Sequence, residues 1–135
     1  MFFVDSVVLI GAKRKRDKWH TKAIQIMQNI ANGSCGKGYL LDYVLVETIN
    51  FLYKKDGLDV AITAMSELLS TEYLDLILSD EIAIFEGYAL MKQFLKLSLT
   101  DAVIAHYMKE LNVSVLYSFD SGFDKVPWIE RRTSV

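Results

Sequence analysis

Four acidic residues at widely separated positions have the chemistry to form one metal site. Each lies inside or directly beside an apolar segment, where an uncompensated charge is unfavourable: Asp5, Glu47, Asp101 and Asp120. If they converge, two carboxylates about 4 Å apart repel each other by several kcal/mol at an effective dielectric constant of about 20. A cation would have to offset that repulsion. The sequence therefore predicts a cation site made from these four carboxylates.

An oxygen-only ligand set favours hard divalent cations, so the expected cofactor is Mg²⁺ or Mn²⁺, as one or two ions. Such an ion lowers the pKa of a bound water molecule and neutralises the charge that develops on a phosphate and its leaving oxygen. Both roles favour the hydrolysis of phosphodiester bonds as the reaction.

Each aspartate also has a purely structural interpretation. Residues 98–101 (SLTD) match a capping box, in which Asp101 would only accept a backbone hydrogen bond at a helix start. The pair Asp5-Ser6 is typical of an N-cap, and Asp120 begins an ordinary turn sequence, DSG. The aspartates taken singly leave both interpretations open.

Glu47 has fewer structural explanations. It lies within residues 43–53, an almost wholly apolar stretch that favours a buried helix. A charge there is costly unless it faces a crevice, a cation or a partner. A salt bridge to a lysine such as Lys54 is the alternative.

Hydrophobic patterning divides the rest of the chain into alternating strands and helices. Strands are predicted at residues 2–5, 39–41, 73–78 and 113–119, with a final edge strand at 128–131. Helices are predicted at residues 7–12, 17–31, 43–53, 58–69, 80–95 and 100–111. This alternation implies right-handed βαβ crossovers. The predicted fold is α/β, a three-layer α/β/α sandwich with a central, mostly parallel sheet of four to five strands, in a single domain covering residues 1–135.

In such a sheet, ligands bind outside the carboxyl ends of the strands, where the strand order reverses. Asp5 ends the first predicted strand and Asp120 follows the last long one. Both are therefore expected at the same edge of the sheet.

Composition limits the expected partners and the expected cellular location of the protein. The 135 residues are 52% hydrophobic and carry a formal net charge of −2, so a polyanionic partner would need a local basic patch. The lone cysteine, Cys35, and the absence of a zinc-ligand pattern favour a reducing, cytoplasmic location. No apolar run reaches the roughly 18 residues that a membrane span needs, and the N-terminus is apolar before it is basic, unlike a secretion signal.

The four acids belong to short motifs that occur in a fixed order along the whole chain: FVDS (3–6), VLVET (44–48), LTDAVIA (99–105) and SFDSGF (118–123). Their order and spacing resemble the PIN-domain ribonucleases, in particular the VapC toxins of prokaryotic toxin–antitoxin modules. One departure is Val7, which stands where many members carry a small polar residue.

The resemblance implies roles for particular residues and for partners. The metal-binding acids would be the same four carboxylates, with Asp124 as a weaker fifth. Ser6, Thr100 and Ser118 would be supporting hydroxyls. The family also implies a homodimer and a small antitoxin protein whose amphipathic segment lies across the acidic site. The apolar helices 43–53 and 58–69 offer surface that a partner could cover.

A basic run, Lys13-Arg14-Lys15-Arg16, follows the first predicted helix, with Lys18, Trp19 and His20 beside it. We predict that Lys13, Arg14, Lys15 and Arg16 bind RNA phosphates, while the two rings stack on bases. The alternative is a solvated charged loop in which Trp19 faces the core.

The predicted function is a metal-dependent endoribonuclease acting as the toxin of a type II toxin–antitoxin pair. One alternative is a PIN nuclease of RNA maturation or turnover that has no antitoxin. Another is a non-catalytic scaffold of the same fold that binds RNA or protein.

Overall fold

A five-stranded sheet forms the centre of the computed structural model, which describes residues 1–135. Its strands are β1 (Phe2–Val4), β2 (Gly38–Leu41), β3 (Leu74–Ile77), β4 (Val115–Tyr117) and β5 (Glu130–Arg132). Their order across the sheet is β3-β2-β1-β4-β5, and every neighbouring pair is parallel. The prediction of a parallel α/β sheet with a final edge strand is confirmed.

Six α-helices and one 3₁₀ helix connect these strands. The α-helices are α1 (Ser6–Lys13), α2 (His20–Ala31), α3 (Asp42–Asp56), α4 (Leu58–Ser70), α5 (Glu81–Gln93) and α6 (Leu99–Glu110). The 3₁₀ helix covers Ser121–Lys125, where the sequence predicted a simple turn. Helix α2 begins three residues later than predicted because Asp17 accepts a hydrogen bond from the Trp19 N–H, at 2.8 Å, in a turn before the helix.

The helices cover both faces of the sheet. Helices α1, α2, α3 and α4 contact one another, and α5 packs against α6. The crossovers β1–β2 and β2–β3 run in one direction across the sheet, whereas β3–β4 runs in the other, so right-handed connections place their helices on opposite faces. This is the predicted three-layer sandwich.

The central strand, β1, consists of consecutive apolar residues rather than alternating apolar and polar ones. Phe2, Phe3 and Val4 are all buried, because helices cover both faces of a parallel sheet. The neighbouring strand begins at Gly38, where a Cβ atom would lie about 2.1 Å from the ring of Phe2. A larger residue at position 38 would therefore displace that ring.

The strand order reverses at β1, which has β2 on one side and β4 on the other. The crevice of the fold therefore opens between the carboxyl ends of β1 and β4. Asp5 directly follows β1, and Ser118 directly follows β4. None of the helices has the length and apolar character needed to cross a membrane.

Candidate active site

Asp5 lies at the reversal point and is almost completely buried. It is the N-cap of α1, and its Oδ1 accepts a hydrogen bond from the Ser6 N–H at 2.8 Å. The Ser118 hydroxyl donates to Oδ2 at 2.7 Å. The Asp5 side chain is therefore held by residues that follow two neighbouring strands, β1 and β4. Asp5 is an N-cap, as one interpretation of the sequence predicted, and it also lies at the crevice.

Burial raises the pKa of Asp5 from 3.8 to about 7, because removal from water disfavours the charged carboxylate. The hydrogen bonds from Ser118 and Ser6 act in the opposite direction and lower this pKa. The negative charges of Asp101 and Asp120 raise it further. Burial therefore favours the protonated form of Asp5, whereas a cation beside it would favour the ionised form.

Asp101 combines a structural role with a place at the site. It is the third residue of α6, and its Oδ2 accepts the Ser98 N–H while the Ser98 hydroxyl accepts the Asp101 N–H, both at 3.1 Å. The predicted capping box is confirmed. Burial raises the pKa of Asp101, and the charges of Asp120 and Glu47 raise it as well. The cap uses Oδ2 and leaves Oδ1 without a protein partner.

Asp120 reaches the same region through the segment after β4. Its backbone N–H donates to the Ser118 hydroxyl oxygen at 3.0 Å, and its Oδ1 accepts the Gly122 N–H at 2.8 Å. The hydroxyl of Ser118 therefore joins two acids: it donates to Asp5 and accepts from the backbone of Asp120. The side chain of Asp120 is largely exposed.

Glu47 lies in the middle of α3 and differs from expectation. The predicted helix is buried on one face only: Val44, Leu45, Thr48 and Leu52 are buried, whereas Val46 and Glu47 are exposed. The alternative of a salt bridge to Lys54 is also not found. Its charge is close enough to Asp101 to raise the pKa of that residue. Glu47 therefore borders the acidic region from the side of α3.

The four carboxylates share one electrostatic environment, but no three of them form a group placed to hold one ion together. Mg²⁺ usually keeps several waters and takes only one or two protein carboxylates, so such an ion does not need three direct protein ligands. The donors are all oxygens, and burial and like charge disfavour the ionised forms of Asp5 and Asp101. This chemistry fits a hard divalent cation.

Asp124, the weaker fifth candidate, already has a partner of opposite charge. The Arg131 guanidinium donates to both of its carboxylate oxygens, at 2.7 and 3.0 Å, and to the Ser118 carbonyl at 3.3 Å. This pairing lowers the pKa of Asp124. A metal ion at Asp124 would have to compete with a guanidinium, so its role as a ligand stays a prediction. Arg131 was missed because no local sequence pattern links it to Asp124.

Two of the predicted supporting hydroxyls make no side-chain hydrogen bond to the acids. Ser6 is buried and supports Asp5 through its backbone N–H, while Thr100 is half-buried at the start of α6. Of the three predicted supporting residues, Ser118 alone bonds one of the four acids through its hydroxyl.

The basic run is partly neutralised. Lys13 pairs with Glu67, and Arg14 pairs with Asp56 at 3.1 Å. Lys15 and Arg16 are exposed and have no ion-pair partner. RNA binding by all four residues stays a prediction, and the pairings leave Lys15 and Arg16 as its stronger members.

Comparison with known proteins places this arrangement in a family. The family model for the PIN domain matches residues 2–129, which include all four acidic motifs. The chain belongs to the PIN domain family. No curated protein sequence matches this PIN domain significantly.

Solved structures share the fold of this PIN domain at low sequence identity. VapC20 of Mycobacterium tuberculosis, a sarcin-ricin loop cleaving toxin, is 18% identical with a TM-score of 0.83, over 96% of this chain and 98% of that one. A toxin–antitoxin complex from Klebsiella pneumoniae is 17% identical, with a TM-score of 0.69, over 96% of each chain. VapBC2 of Rickettsia felis, bound to a DNA fragment from its promoter, is 15% identical, with a TM-score of 0.71, over 97% of this chain and 96% of that one. These likenesses concern the fold.

Proposed function

We propose that this PIN domain is a metal-dependent endoribonuclease that hydrolyses RNA phosphodiester bonds and acts as the toxin of a toxin–antitoxin pair. The observation that carries the proposal is the buried Asp5. Its carboxylate shares the Ser118 hydroxyl with the backbone of Asp120 and lies within the field of Asp101. Such a concentration of negative charge at the crevice of an α/β sheet is unfavourable for stability and useful for binding a cation.

In this proposal Asp5, Glu47, Asp101 and Asp120 hold one or two Mg²⁺ or Mn²⁺ ions. A bound ion supplies an activated water and neutralises charge on the phosphate. The chain's own contribution is to position the carboxylates. Ser118 fixes the orientation of Asp5, and the cap formed with Ser98 fixes Asp101.

The helix ends help to hold these charges in place. Asp5 caps α1 and Asp101 lies in the first turn of α6, so both carboxylates lie at helix N-termini. The partial positive charge of a helix N-terminus stabilises a nearby anion. The capping and catalytic interpretations are therefore compatible, because the cap that anchors each side chain also aims it at the crevice.

The partners follow from the same family. One solved relative is a sarcin-ricin loop cleaving toxin, and two others are toxin–antitoxin complexes. The PIN domain has large exposed apolar side chains on α3 and α4, namely Val46, Tyr53, Leu58, Ile62 and Leu69. We propose that a second copy of the chain and a small antitoxin cover such surfaces. A short coding region beside this one would support the toxin over a nuclease that works without an antitoxin.

Cleavage of a mixed RNA pool tests the proposal. The wild-type protein is incubated with Mg²⁺, Mn²⁺ or EDTA and compared with Asp101→Asn, which removes a charge but keeps the shape of the cap. Asp80→Asn is the matched control, because Asp80 also caps a helix, α5, by accepting the Ala83 N–H. We expect cleavage by wild type and Asp80→Asn with metal, and none with EDTA or by folded Asp101→Asn. Equal cleavage by Asp101→Asn would remove that residue from the mechanism, and the absence of metal-dependent cleavage by wild type would overturn the proposal.

A further inference from the structure

A stacked pair of aromatic rings lies directly beside the acidic site. Phe119, between Ser118 and Asp120, stacks on Trp19, with ring centroids 4.7 Å apart and planes inclined by 8°. Trp19 precedes α2 and comes from a distant part of the sequence. Both residues are half-buried, so part of the pair is in contact with solvent. The pair therefore forms an aromatic wall one residue away from a candidate metal ligand.

The cations nearest to this wall have no acidic partner. The ammonium groups of Lys18 and Lys22 lie 5.2 and 5.8 Å from the centroid of the Trp19 ring. Both lysines are exposed, and neither takes part in an ion pair. The one acid among residues 13–22 is Asp17, whose Oδ1 accepts the Trp19 N–H and which pairs with none of these cations.

Two ion pairs at the start of the basic segment leave the unpaired positive charge closer to Trp19. Within the basic segment, Glu67 and Asp56 neutralise Lys13 and Arg14. The unpaired cations are then Lys15, Arg16, Lys18 and Lys22, which flank Trp19 on both sides. In a protein with a formal net charge of −2, this is a local patch of the kind that a polyanion requires.

Lysines over aromatic rings also occur elsewhere in the chain, at Lys92 with Tyr88 and at Lys109 with Trp128. Lys92 lies near the end of α5 and Lys109 near the end of α6, and their rings, Tyr88 and Trp128, are not part of the Trp19–Phe119 stack. A lysine on a ring is therefore not by itself a binding site here. The wall at Trp19 differs because two ammonium groups lie at one ring and because its partner ring, Phe119, lies between Ser118 and Asp120 at the acidic crevice.

We propose that Trp19, Lys18 and Lys22 form a subsite for a single-stranded RNA nucleotide next to the bond that is cleaved. The base stacks on the face of Trp19 opposite Phe119, where it displaces the two ammonium groups from the ring, and these then bind flanking phosphates. A base paired in a duplex has both faces covered by its neighbours, so the subsite selects unpaired RNA. Stacking tolerates any base, so the subsite contributes affinity and strand selection rather than base identity. The inference rests on the proposed nuclease function for the identity of its ligand.

Intrinsic fluorescence tests this subsite without cleavage. The chain has two tryptophans, so Trp128→Phe leaves Trp19 as the only indole reporter. In EDTA, titration with a short single-stranded RNA is expected to quench Trp19 emission, and the same strand in a duplex is expected to bind at least about tenfold more weakly. In an otherwise native chain, Trp19→Leu should weaken single-strand binding about tenfold, while Trp19→Phe, which keeps a stacking ring, should stay within about threefold of wild type.

Salt dependence tests the lysines separately. Lys18→Ala with Lys22→Ala should make the negative slope of log affinity against log salt shallower by about 1.4, because each phosphate contact on a single strand contributes about −0.7. Lys92→Ala with Lys109→Ala is the matched control, since it removes two other ring-associated lysines, and it should leave the slope unchanged. The salt-dependence measurement on the lysine variants still tests the subsite if Trp19→Leu fails to fold.

An unchanged Trp19 emission on binding, equal quenching by the duplex, or an unchanged salt slope for the lysine variant would overturn the subsite. The failure of the nuclease function would look different: Trp19 would still report single-strand binding in EDTA, but wild type would not cleave RNA with Mg²⁺ or Mn²⁺.

Discussion

Replacing Asp5 with asparagine should stabilise the protein at neutral and alkaline pH. The pKa of Asp5 is raised from 3.8 to about 7 in the folded chain, mainly by burial. Below pH 3.8 the folded and unfolded chains are both protonated at this residue. Between pH 3.8 and 7 the unfolded chain has released this proton while the folded chain retains it, so stability falls as pH rises. Above pH 7 Asp5 is ionised in the folded chain as well, so the loss of stability has reached its full size.

The size of this loss follows from the shift. About three pKa units at about 1.4 kcal/mol each correspond to about 4 kcal/mol. This is a large part of the 5–15 kcal/mol that is typical of a whole domain. Asparagine keeps an oxygen for the Ser6 N–H, and its amide can donate to the Ser118 hydroxyl oxygen, which still accepts from Asp120. The buried Ser118 O–H then loses its acceptor, which offsets about 1–3 kcal/mol of the gain. Asp5→Asn should therefore raise the free energy of unfolding by about 1–3 kcal/mol at pH 8.

Urea denaturation in EDTA at pH 4, 6 and 8 measures this effect. The stability of Asp5→Asn relative to wild type should be lowest at pH 4, intermediate at pH 6 and highest at pH 8. Asp80→Asn, at an exposed helix cap, is the control and should show no such trend. A variant that is less stable than wild type at pH 8, or a difference that does not grow with pH, would refute the assignment of Asp5 as a buried, destabilising carboxylate.

Three further predictions follow from individual contacts. Ser118→Ala removes the hydroxyl that lowers the pKa of Asp5. The acidic limb of the pH profile of cleavage should therefore move to higher pH, and Mn²⁺ affinity should fall about tenfold or more. An unmoved profile would mean that the hydrogen bond does not act on Asp5. Thr48→Val removes a buried hydroxyl that has no hydrogen-bond partner, so the free energy of unfolding should rise by about 1 kcal/mol, and a loss of stability would count against this reasoning. Arg131→Gln and Asp124→Asn should each destabilise the fold by about 1–2 kcal/mol but not additively, as a double-mutant cycle in urea would show; full additivity would mean that the two side chains do not interact.

The sheet and the meeting of Asp5 with the segment after β4 could be predicted because both depend on regular features. Buried parallel strands give short apolar runs, and parallel strands present their carboxyl ends at one edge. Asp5 and Ser118 follow such strands directly, so their hydrogen bond is a consequence of topology. The order of the four motifs along the chain identified Glu47 and Asp101 as the remaining candidate acids.

Other parts of the site depend on contacts that no local pattern encodes. Glu47 was expected on a buried helix because of its apolar neighbours, but α3 exposes Val46 as well as Glu47. The partner of Arg14 is Asp56, at the far end of α3, and only packing of α1 against α3 brings them together. The basic run therefore looked more positively charged in the sequence than it is in the fold.

The stacking of Trp19 illustrates the same limit. The sequence left two interpretations open, an RNA-facing ring and a core residue. The structure gives a half-buried ring on Phe119, which neither interpretation included. Long-range ring contacts depend on how the start of α2 meets the end of β4, and periodicity within either segment carries no information about that meeting.

Calorimetric titration with Mn²⁺ tests most directly whether carboxylates from four distant segments share a cation. Wild type is compared at pH 7.5 with Asp5→Asn, Glu47→Gln, Asp101→Asn and Asp120→Asn, with Asp80→Asn as the control. We predict saturable binding by wild type and Asp80→Asn, and at least about tenfold weaker binding by each of the other four variants. Wild-type affinity in most of these four variants, with their folds intact, would contradict the account.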